Sequence, residues 1–375
     1  MSTRSGVALP LALFTIVLAA VMITAVFYVG RLEQRMGNNS IAATRAFEAA
    51  ESGITAVLNS WSTTYSGMLI GDTRTTGQVT VATGTNYTAY VRRLNSVLFL
   101  VQSEGRFQVG GVPVTRRQVA RLVRLLAPDL SPDGALTTRL GLTVKDDARI
   151  DGADNIPPNW GFTCAAPFPS VPAIVDSAGP IITDPNCAGG SCLTGSTPIW
   201  VTTQARMSAY TTFGAVDFPT LAGSAERVVT GAVSGIQPSI TGSPSQCNTG
   251  DVNNWGDPLD PSGRCWNYFP IIYSPGDLEL QSGYGQGVLL VQGNLTISGD
   301  FRFFGVIVVQ GTVTTTGTST GRVYGALMTA SVAGLPDGSI GGAAQILYSH
   351  CAIDRSVTGA SVAESLRERG WMQLY

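Results

Sequence analysis

The chain of 375 residues is 44% hydrophobic, which is enough apolar material to build folded cores and excludes a disordered protein. Charged residues make up only 13%, the formal net charge is −2, and Lys145 is the single lysine. The chain lacks the clustered basic face that releases counterions from phosphates, so we expect no nucleic-acid partner. No phosphate-loop lysine and no zinc-spaced set of Cys and His is present, and we predict no cofactor.

An apolar run from Val7 to Val29 opens the chain and carries no charged residue. As a helix it would be about 35 Å long, enough to cross the hydrocarbon core of a bilayer with some tilt. A secretory signal has a shorter apolar region and ends in a small-x-small cleavage site, which is not evident here. The sequence therefore predicts a membrane anchor that is retained.

The orientation of this anchor follows from the cysteines and not from the flanking charges. Arg31 and Arg35 follow the run and Arg4 precedes it, so a count of arginines would leave the bulk of the chain in the cytoplasm. Long domains translocate largely regardless of such charges, and an even set of six cysteines in Gly- and Pro-rich surroundings is typical of an oxidising compartment. The six are Cys164, Cys187, Cys192, Cys247, Cys265 and Cys351. We therefore expect a single-pass protein with its bulk outside the cytoplasm.

Helical spacing continues beyond the membrane, and we predict one helix over residues 7–61. Apolar side chains recur on one face at intervals of three, four and seven residues. They are Leu32, Met36, Ala43, Phe47, Ala50, Ile54, Val57, Leu58 and Trp61. The stretch from Gly37 to Asn39 contains poor helix formers and predicts a soft point. A plain anchor followed by a juxtamembrane stalk is the alternative interpretation.

The same segment resembles the N-terminal region of PilX-type minor pilins. A short leader ending in Gly and a long apolar helix are followed by "LEQRMGNNSIAATRAFEAAESGI", which reproduces an E-x-R-M-x-x-N segment and an A-F-x-A-A-E-x-G stretch. The matching positions are Glu33, Arg35, Met36, Asn39, Ala46, Phe47, Ala49, Ala50, Glu51 and Gly53. The resemblance covers about residues 1–60 and leaves the rest of the chain unassigned.

The resemblance implies that a prepilin peptidase cleaves after Gly6, so that residues 1–6 form a leader and Val7 becomes the N-terminus. It also implies anchoring in the inner membrane and assembly with other pilin and minor pilin subunits through the helix. The positions assigned to anchoring and assembly are Val7, Leu11, Val29, Glu33, Arg35, Met36, Phe47 and Glu51. One position departs from major pilins, which carry glutamate at the fifth mature position, where this chain has Leu11.

A period of two residues predicts a small antiparallel, pilin-like sheet over residues 65–130, a suitable partner for the helical stripe. The predicted strands contain Val79–Val81, Tyr87–Tyr90, Val97–Val101 and Val119–Leu126, and the turn signals are Gly84, Asn95-Ser96 and Gly110-Gly111. The arginines of this region alternate without aromatic residues between them, which indicates an exposed sheet face and not a nucleic-acid surface.

An internal repeat marks the second half of the chain. "GVLLVQGNLTISGD" from Gly287 aligns with "GVIVVQGTVTTTGT" from Gly305, and weaker copies begin at Gly325 and Leu142. Short apolar strands punctuated by Gly at a fixed interval favour a β-solenoid-like domain over residues 137–350, with a pair of hairpins as the alternative. The Pro-, Gly- and Cys-rich residues 155–275 are predicted to form an insertion, and residues 351–375 a C-terminal cap with a short helix near Val362.

The cysteines are predicted to pair within this second half of the chain. Cys247 and Cys265 flank a single loop, whose closure would contribute about 3 kcal/mol, and form the first candidate pair. Cys187 with Cys192 is the second, and Cys164 with Cys351 follows by elimination.

Sites for catalysis or metal binding are nearly absent from the pattern. We predict no catalytic residue, because the single histidine, His350, stands beside Cys351 where strand neighbours would point to opposite faces. Asp251, Asn253 and Asp257 weakly resemble a calcium loop, but Trp255 occupies a ligand position and no glutamate closes the loop. A turn-rich loop is the competing interpretation, and the expected metal content is none.

The sequence thus predicts an α+β, mainly β protein: a pilin-like N-terminal helix, an antiparallel sheet, and a β-solenoid-like domain with a disulfide-containing insertion. The expected function is that of a minor pilin-like subunit in assembly of a type IV pilus or a related pseudopilus, without enzymatic activity. A membrane-anchored, adhesin-like binding module that uses residues 155–275 is the alternative.

Overall fold

The computed structural model describes residues 8–61, 63–66, 68–95, 97–164, 168–177, 179, 181–184, 192–202, 210–316, 319–330, 338–366 and 370–374. The chain divides into two compact units. Unit 1 comprises residues 1–60, 68–124 and 365–375, and unit 2 comprises residues 61–67 and 125–364. A long N-terminal apolar helix is followed by antiparallel and parallel curled sheets, so the protein is α+β and mainly β.

The helices are α1 (Ala8–Asn59), α2 (Thr63–Ser66), α3 (Phe218–Gly223) and α4 (His350–Gly359). The strands, in chain order, are β1 (Thr73–Ala82), β2 (Thr85–Arg93), β3 (Leu98–Val109), β4 (Val112–Leu126), β5 (Leu136–Thr138), β6 (Leu142–Val144), β7 (Arg149–Asp151), β8 (Ile174–Asp176), β9 (Ile181–Thr183), β10 (Leu193–Thr194), β11 (Ile199–Val201), β12 (Thr212–Phe213), β13 (Val216–Asp217), β14 (Arg227–Val228), β15 (Gly231–Val233), β16 (Ile240–Thr241), β17 (Gln246–Cys247), β18 (Ile271–Ser274), β19 (Leu278–Val291), β20 (Leu295–Val309), β21 (Val313–Thr315), β22 (Arg322–Thr329), β23 (Gly338–Ile340), β24 (Gln345–Tyr348), β25 (Val362–Ser365) and β26 (Trp371–Leu374).

In unit 1, an antiparallel sheet with the order β1-β2-β3-β4 packs on the C-terminal part of α1. The turns between these strands contain Gly84, Asn95 and the pair Gly110-Gly111, at the predicted places. All three glycines have positive φ, which is accessible to glycine because it lacks a Cβ atom. Local turn chemistry therefore sets the register of this meander.

The C-terminal residues complete the same sheet, which differs from the prediction of a cap on the β-solenoid-like domain. β26 pairs antiparallel with β4, so that Trp371 lies opposite Arg121. The predicted helix near Val362 is also wrong, because residues 362–365 form β25 and the helix lies earlier, at α4. Ser349 caps that helix by accepting a hydrogen bond from the Ala352 N–H, which starts it directly after β24.

Unit 2 is built on parallel strands that lie in three columns. The first column runs β14-β18-β19-β20-β22-β5-β8-β11, and the second runs β15-β19-β20-β21-β23-β6-β9. The third contains parts of β19, β20 and β22, followed by β24, β7 and β10. Long strands such as β19 and β20 belong to more than one column because they bend between them.

The repeat in the sequence corresponds to strand register in these columns. Val288 pairs with Val306, and Leu295 pairs with Val313, which are two of the aligned repeat positions. Their side chains are buried in one apolar core, as expected when each coil covers the next. The aligned residues of the repeat are therefore neighbours across adjacent strands.

A ladder of glycines occupies one bend of the columns. Gly287, Gly305 and Gly325 are in register and all have positive φ. A Cβ atom on Gly305 would lie 2.1 Å from the Gly287 carbonyl oxygen, and one on Gly325 would lie 1.9 Å from the Gly305 carbonyl oxygen. The recurrence of glycine is explained by this close backbone approach and by the left-handed conformation.

The chain enters the columns in their middle. β5 follows unit 1 and leads through β8 to β11 at one end, after which β14 begins the other end. The later strands return until β22 pairs with β5, Leu327 lying opposite Leu136. The prediction of one insertion over residues 155–275 is therefore wrong, since this stretch supplies β8 to β11, β14, β15 and β18. Strands of two to four residues without recurring glycines gave no repeat signal.

Candidate assembly and membrane interface

The N-terminal part of α1 presents apolar side chains on all sides to the exterior of the chain. α1 contains 52 residues and is about 78 Å long. Its exposed large apolar residues include Leu9, Leu11, Leu13, Phe14, Ile16, Val17, Leu18, Val21, Met22, Ile23, Val26, Phe27, Tyr28 and Val29. By length and composition this helix can cross a membrane, as predicted for a single-pass anchor.

The residues assigned to anchoring and assembly fall into two groups along α1. Leu11, Val29, Glu33, Arg35 and Met36 are exposed. The predicted apolar stripe therefore becomes buried only from Ala42 onward. Gly6 and Val7, the predicted processing site, lie outside the described residues.

Two glycines allow α1 to lie unusually close to β3. A Cβ atom on Gly105 would lie 2.0 Å from the Ala46 carbonyl oxygen and 2.5 Å from the Ala50 nitrogen. A Cβ atom on Gly53 would lie 2.2 Å from the Ser103 Oγ. Gly53 lies in the A-F-x-A-A-E-x-G stretch of α1, and its lack of a side chain admits the neighbouring strand.

Glu51, the acidic residue of that motif, connects the helix to two strands. Its Oε2 lies 3.2 Å from Arg121 Nη2 on β4, and its Oε1 accepts a 2.7 Å hydrogen bond from Trp371 Nε1 on β26. Phe47, one turn earlier, meets the Trp371 ring edge-on at 6.3 Å. The motif thus holds the C-terminal strand against the helix, and both carboxylate oxygens have partners.

Sequence reasoning missed Arg121 and Trp371 as members of this cluster. Arg121 is one of several alternating arginines in the predicted sheet, and Trp371 lies in the segment predicted to form a C-terminal cap. The signal in the sequence was a glutamate within an apolar helical stripe, because a carboxylate that becomes partly buried needs hydrogen-bond donors. This signal predicts that Glu51 has a partner but does not give the position of that partner.

Disulfides join distant and local parts of unit 2. Cys247 is bonded to Cys265 across 18 residues, and Cys164 is bonded to Cys351 across 187 residues. Cys192 is also disulfide-bonded, whereas Cys187 lies outside the described residues. In the chain, Cys164 comes after β7 and Cys351 comes after β24. These two strands pair with each other at the place where the returning chain meets its first coil.

The loop before Cys164 is fixed at both ends. Trp160 is fully buried, and its Nε1 donates a 2.8 Å hydrogen bond to the Pro258 carbonyl oxygen. Its own carbonyl oxygen accepts hydrogen bonds from the N–H groups of Thr163 and Cys164 at 2.9 and 3.1 Å. Phe162 lies at the tip of this turn and is 98% exposed.

The weak calcium candidate folds as hydrogen-bonded turns. Asp251 Oδ1 accepts a 3.0 Å hydrogen bond from the Asn253 N–H, and Trp255 is fully buried. Burial raises the pKa of the Asp257 carboxyl despite backbone hydrogen bonds from nearby residues. Among the described residues, no three or more His, Cys, Asp or Glu side chains are arranged to hold a metal ion.

His350 begins α4 and does not lie in a strand as assumed. Its ring stacks on the ring of Phe168 with 3.7 Å between the centroids, and its backbone N–H donates a 2.9 Å hydrogen bond to Asp154 Oδ1. Its neighbour Cys351 is bonded to Cys164 and is not a thiol. A Cys/His dyad is therefore not formed by these two residues.

No family model matches this chain, and neither the curated proteins nor the solved structures contain a significant match to it.

Proposed function

We propose that the chain is a minor pilin-like subunit that takes part in assembly of a type IV pilus or a related pseudopilus. The observation that carries this proposal is the division of α1 into an exposed apolar part and a part packed on an antiparallel sheet. Apolar helical surface exposed all round is satisfied by lipid or by other such helices. The partners are then the inner membrane, a prepilin peptidase acting after Gly6, and other pilin and minor pilin subunits.

The parallel unit is, in this proposal, a β-solenoid-like domain carried outside the cytoplasm. Its three columns of parallel strands and its disulfides support that assignment. The proposal gives this domain no catalytic role.

Leu11 sets the place of the subunit in the fibre. In an apolar helical bundle a buried carboxylate is costly unless paired, and by the stated resemblance major pilins pair theirs with the terminal amine of a neighbour. Leu11 supplies no such pair, although it can pack. We therefore place this subunit at low copy number, at or near the start of the fibre.

Quantitative mass spectrometry of sheared fibres tests this placement. We expect peptides of this chain in the fibres at a small fraction of the major subunit, with a mature N-terminus at Val7. A copy number close to that of the major subunit contradicts the placement. Complete absence from fibres, with assembly still dependent on the chain, replaces the subunit role by that of a membrane-bound assembly factor.

The Leu11→Glu variant makes the test specific to this position. Its copy number in fibres should rise if the missing carboxylate limits addition, because the usual pairing becomes available. Leu13→Glu is the matched control, since Leu13 is also exposed on α1 and two residues away. Equal behaviour of the two variants would show that position 11 has no special role.

An adhesin-like binding module is a second candidate, favoured by Phe162. A fully exposed aromatic ring on a turn fixed by Trp160 and Cys164 is a preorganised contact residue. The Phe162→Ala variant separates the two functions: loss of surface attachment with normal fibres supports the adhesin, and loss of fibres with the same protein level opposes it.

A further inference from the structure

The hairpin between β3 and β4 ends in an exposed apolar tip. Val109 and Val112 flank the Gly110-Gly111 turn and are 60% and 65% exposed, and Val114 follows on β4 at 49%. Hairpin turns facing water are ordinarily polar, and apolar side chains gathered at such a tip indicate a contact.

Contacts within unit 1 show which way this tip points. Along β3, Ser103 lies beside Gly53, Gly105 lies beside Ala46, and Phe107 lies beneath the Arg45 guanidinium at 5.0 Å. Residue numbers therefore increase along β3 in the direction in which they decrease along α1. The hairpin runs toward the N-terminus of α1, which is the end that carries the apolar run.

The tip reaches close to the end of that run. A strand advances about 3.3 Å per residue and a helix about 1.5 Å, so the turn at Gly110-Gly111 lies at about the level of Met36. Val29 is then roughly 10 Å further along the helix axis. The headgroup layer extends about 5 to 8 Å beyond the hydrocarbon core. Membrane-spanning helices are commonly tilted by about 20° from the bilayer normal. Such a tilt of α1 brings a tip that stands about 10 Å from the helix axis closer to the bilayer by about 3 Å.

Two arginines lie opposite one another just behind the tip. Arg106 on β3 and Arg116 on β4 are in register, and with Pro113, Val114 and Thr115 they line a groove of about 400 Å³. Like charges placed directly across strands repel unless an anion joins them. Glu104 pairs with Arg106, but no carboxylate in the described ranges lies within salt-bridge distance of Arg116.

From this geometry we infer that the β3–β4 hairpin is a second membrane contact, with its valines at the headgroup layer and the Arg106–Arg116 groove on the phosphate of an anionic lipid. The occupant is a lipid of the bilayer that α1 spans, because the tip lies at the level where that bilayer ends. The inference rests on the anchoring of α1 in the proposed function. Its consequence is that unit 1 is held in a fixed orientation on the membrane.

Depth-dependent fluorescence quenching of the full chain in nanodiscs tests the contact. Every described cysteine is disulfide-bonded, so a Val112→Cys variant provides a thiol for an environment-sensitive label. Leu94→Cys, in the exposed turn at the opposite end of the sheet, is the matched control, and Val21→Cys reports insertion of α1. Nanodiscs of phosphatidylcholine alone and with phosphatidylglycerol are compared, with quenchers on the lipid headgroup.

We expect quenching at position 112 but not at position 94, and stronger quenching with phosphatidylglycerol. The Arg106→Gln/Arg116→Gln variant should lose the part that depends on phosphatidylglycerol. If position 21 is protected within the bilayer and position 112 behaves like position 94, the contact is overturned while the anchor stands. If position 21 is not inserted, both the hairpin contact and the anchoring of α1 are overturned. Equal quenching in the two lipids, unchanged in the arginine variant, overturns the anionic-lipid site.

Discussion

Trp371 donates a 2.7 Å hydrogen bond from Nε1 to Oε1 of Glu51, although the two residues are 320 positions apart in the chain. The contact joins α1 to β26, so the helix, the sheet and the C-terminal strand of unit 1 all contact one carboxylate. Because Glu51 also pairs with Arg121, removal of either partner leaves the carboxylate partly unsatisfied.

Trp371→Phe should destabilise unit 1 by about 1 to 2 kcal/mol, because it keeps the ring contact with Phe47 but removes a donor to a charged acceptor. Glu51→Gln should cost about 1 kcal/mol, since the ion pair with Arg121 is partly exposed and screened. Hydrogen exchange of the β4 amides at Val119–Arg121 provides the measurement. Met372→Ala, an exposed neighbour on β26, is the control. Unchanged protection in Trp371→Phe would contradict the assigned role.

Much of unit 1 could be predicted from local pattern, and much of unit 2 could not. Helical spacing and the glycine turns gave α1 and the β-meander, and the repeat gave the strand pairs near Val288 and Val306. The pairing of β26 with β4, and of β22 with β5, joins residues far apart in sequence. The short strands of these pairs, β26 and β5, have no periodicity that identifies their partners, because register between distant strands is set by the assembled core.

Gly105 should be intolerant of any side chain. Gly105→Ala places a methyl group against the backbone of Ala46 and Ala50, which cannot move away without displacing α1, so we expect a loss of about 2 to 3 kcal/mol. Gly37→Ala is the matched control in the same unit, because nothing lies within 4 Å of its Cβ position. That variant should stabilise α1 by up to about 1 kcal/mol. Thermal melts of both proteins give the comparison, and a similar effect of both would refute the close approach.

The Cys164–Cys351 bond should contribute more stability than the Cys247–Cys265 bond. In the chain-entropy model, closing the loop of 187 residues contributes about 5 kcal/mol and the loop of 18 about 3 kcal/mol. The first bond also holds β24 beside β7, where the returning chain meets its first coil. Paired Cys→Ser variants at each bond, compared by denaturant melts, measure the two terms. A larger loss at Cys247/Cys265 would contradict the assigned role of the junction.

Asp151 should make the stability of this junction dependent on acid. The residue ends β7, its carboxylate lies 2.6 Å from Arg149 Nη2, and it accepts a 2.9 Å hydrogen bond from the Ala153 N–H. Burial raises the pKa of Asp151, but the hydrogen bond from the Ala153 N–H and the pairing with Arg149 lower it, and the pKa lies below 3.8.

A carboxyl group whose pKa is lowered by folding stabilises the protein at pH values above the pKa it has in the unfolded chain. This contribution is lost as the pH falls through the pKa it has in the folded protein. Asp151→Asn should therefore lower the melting temperature at neutral pH, and the difference from the parent protein should shrink as the pH falls below 3.8. Asp300→Asn is the control, because Asp300 and Arg302 form an exposed pair that contributes little. A difference at Asp151 that stays constant or grows in acid would mean that its charge does not stabilise the junction.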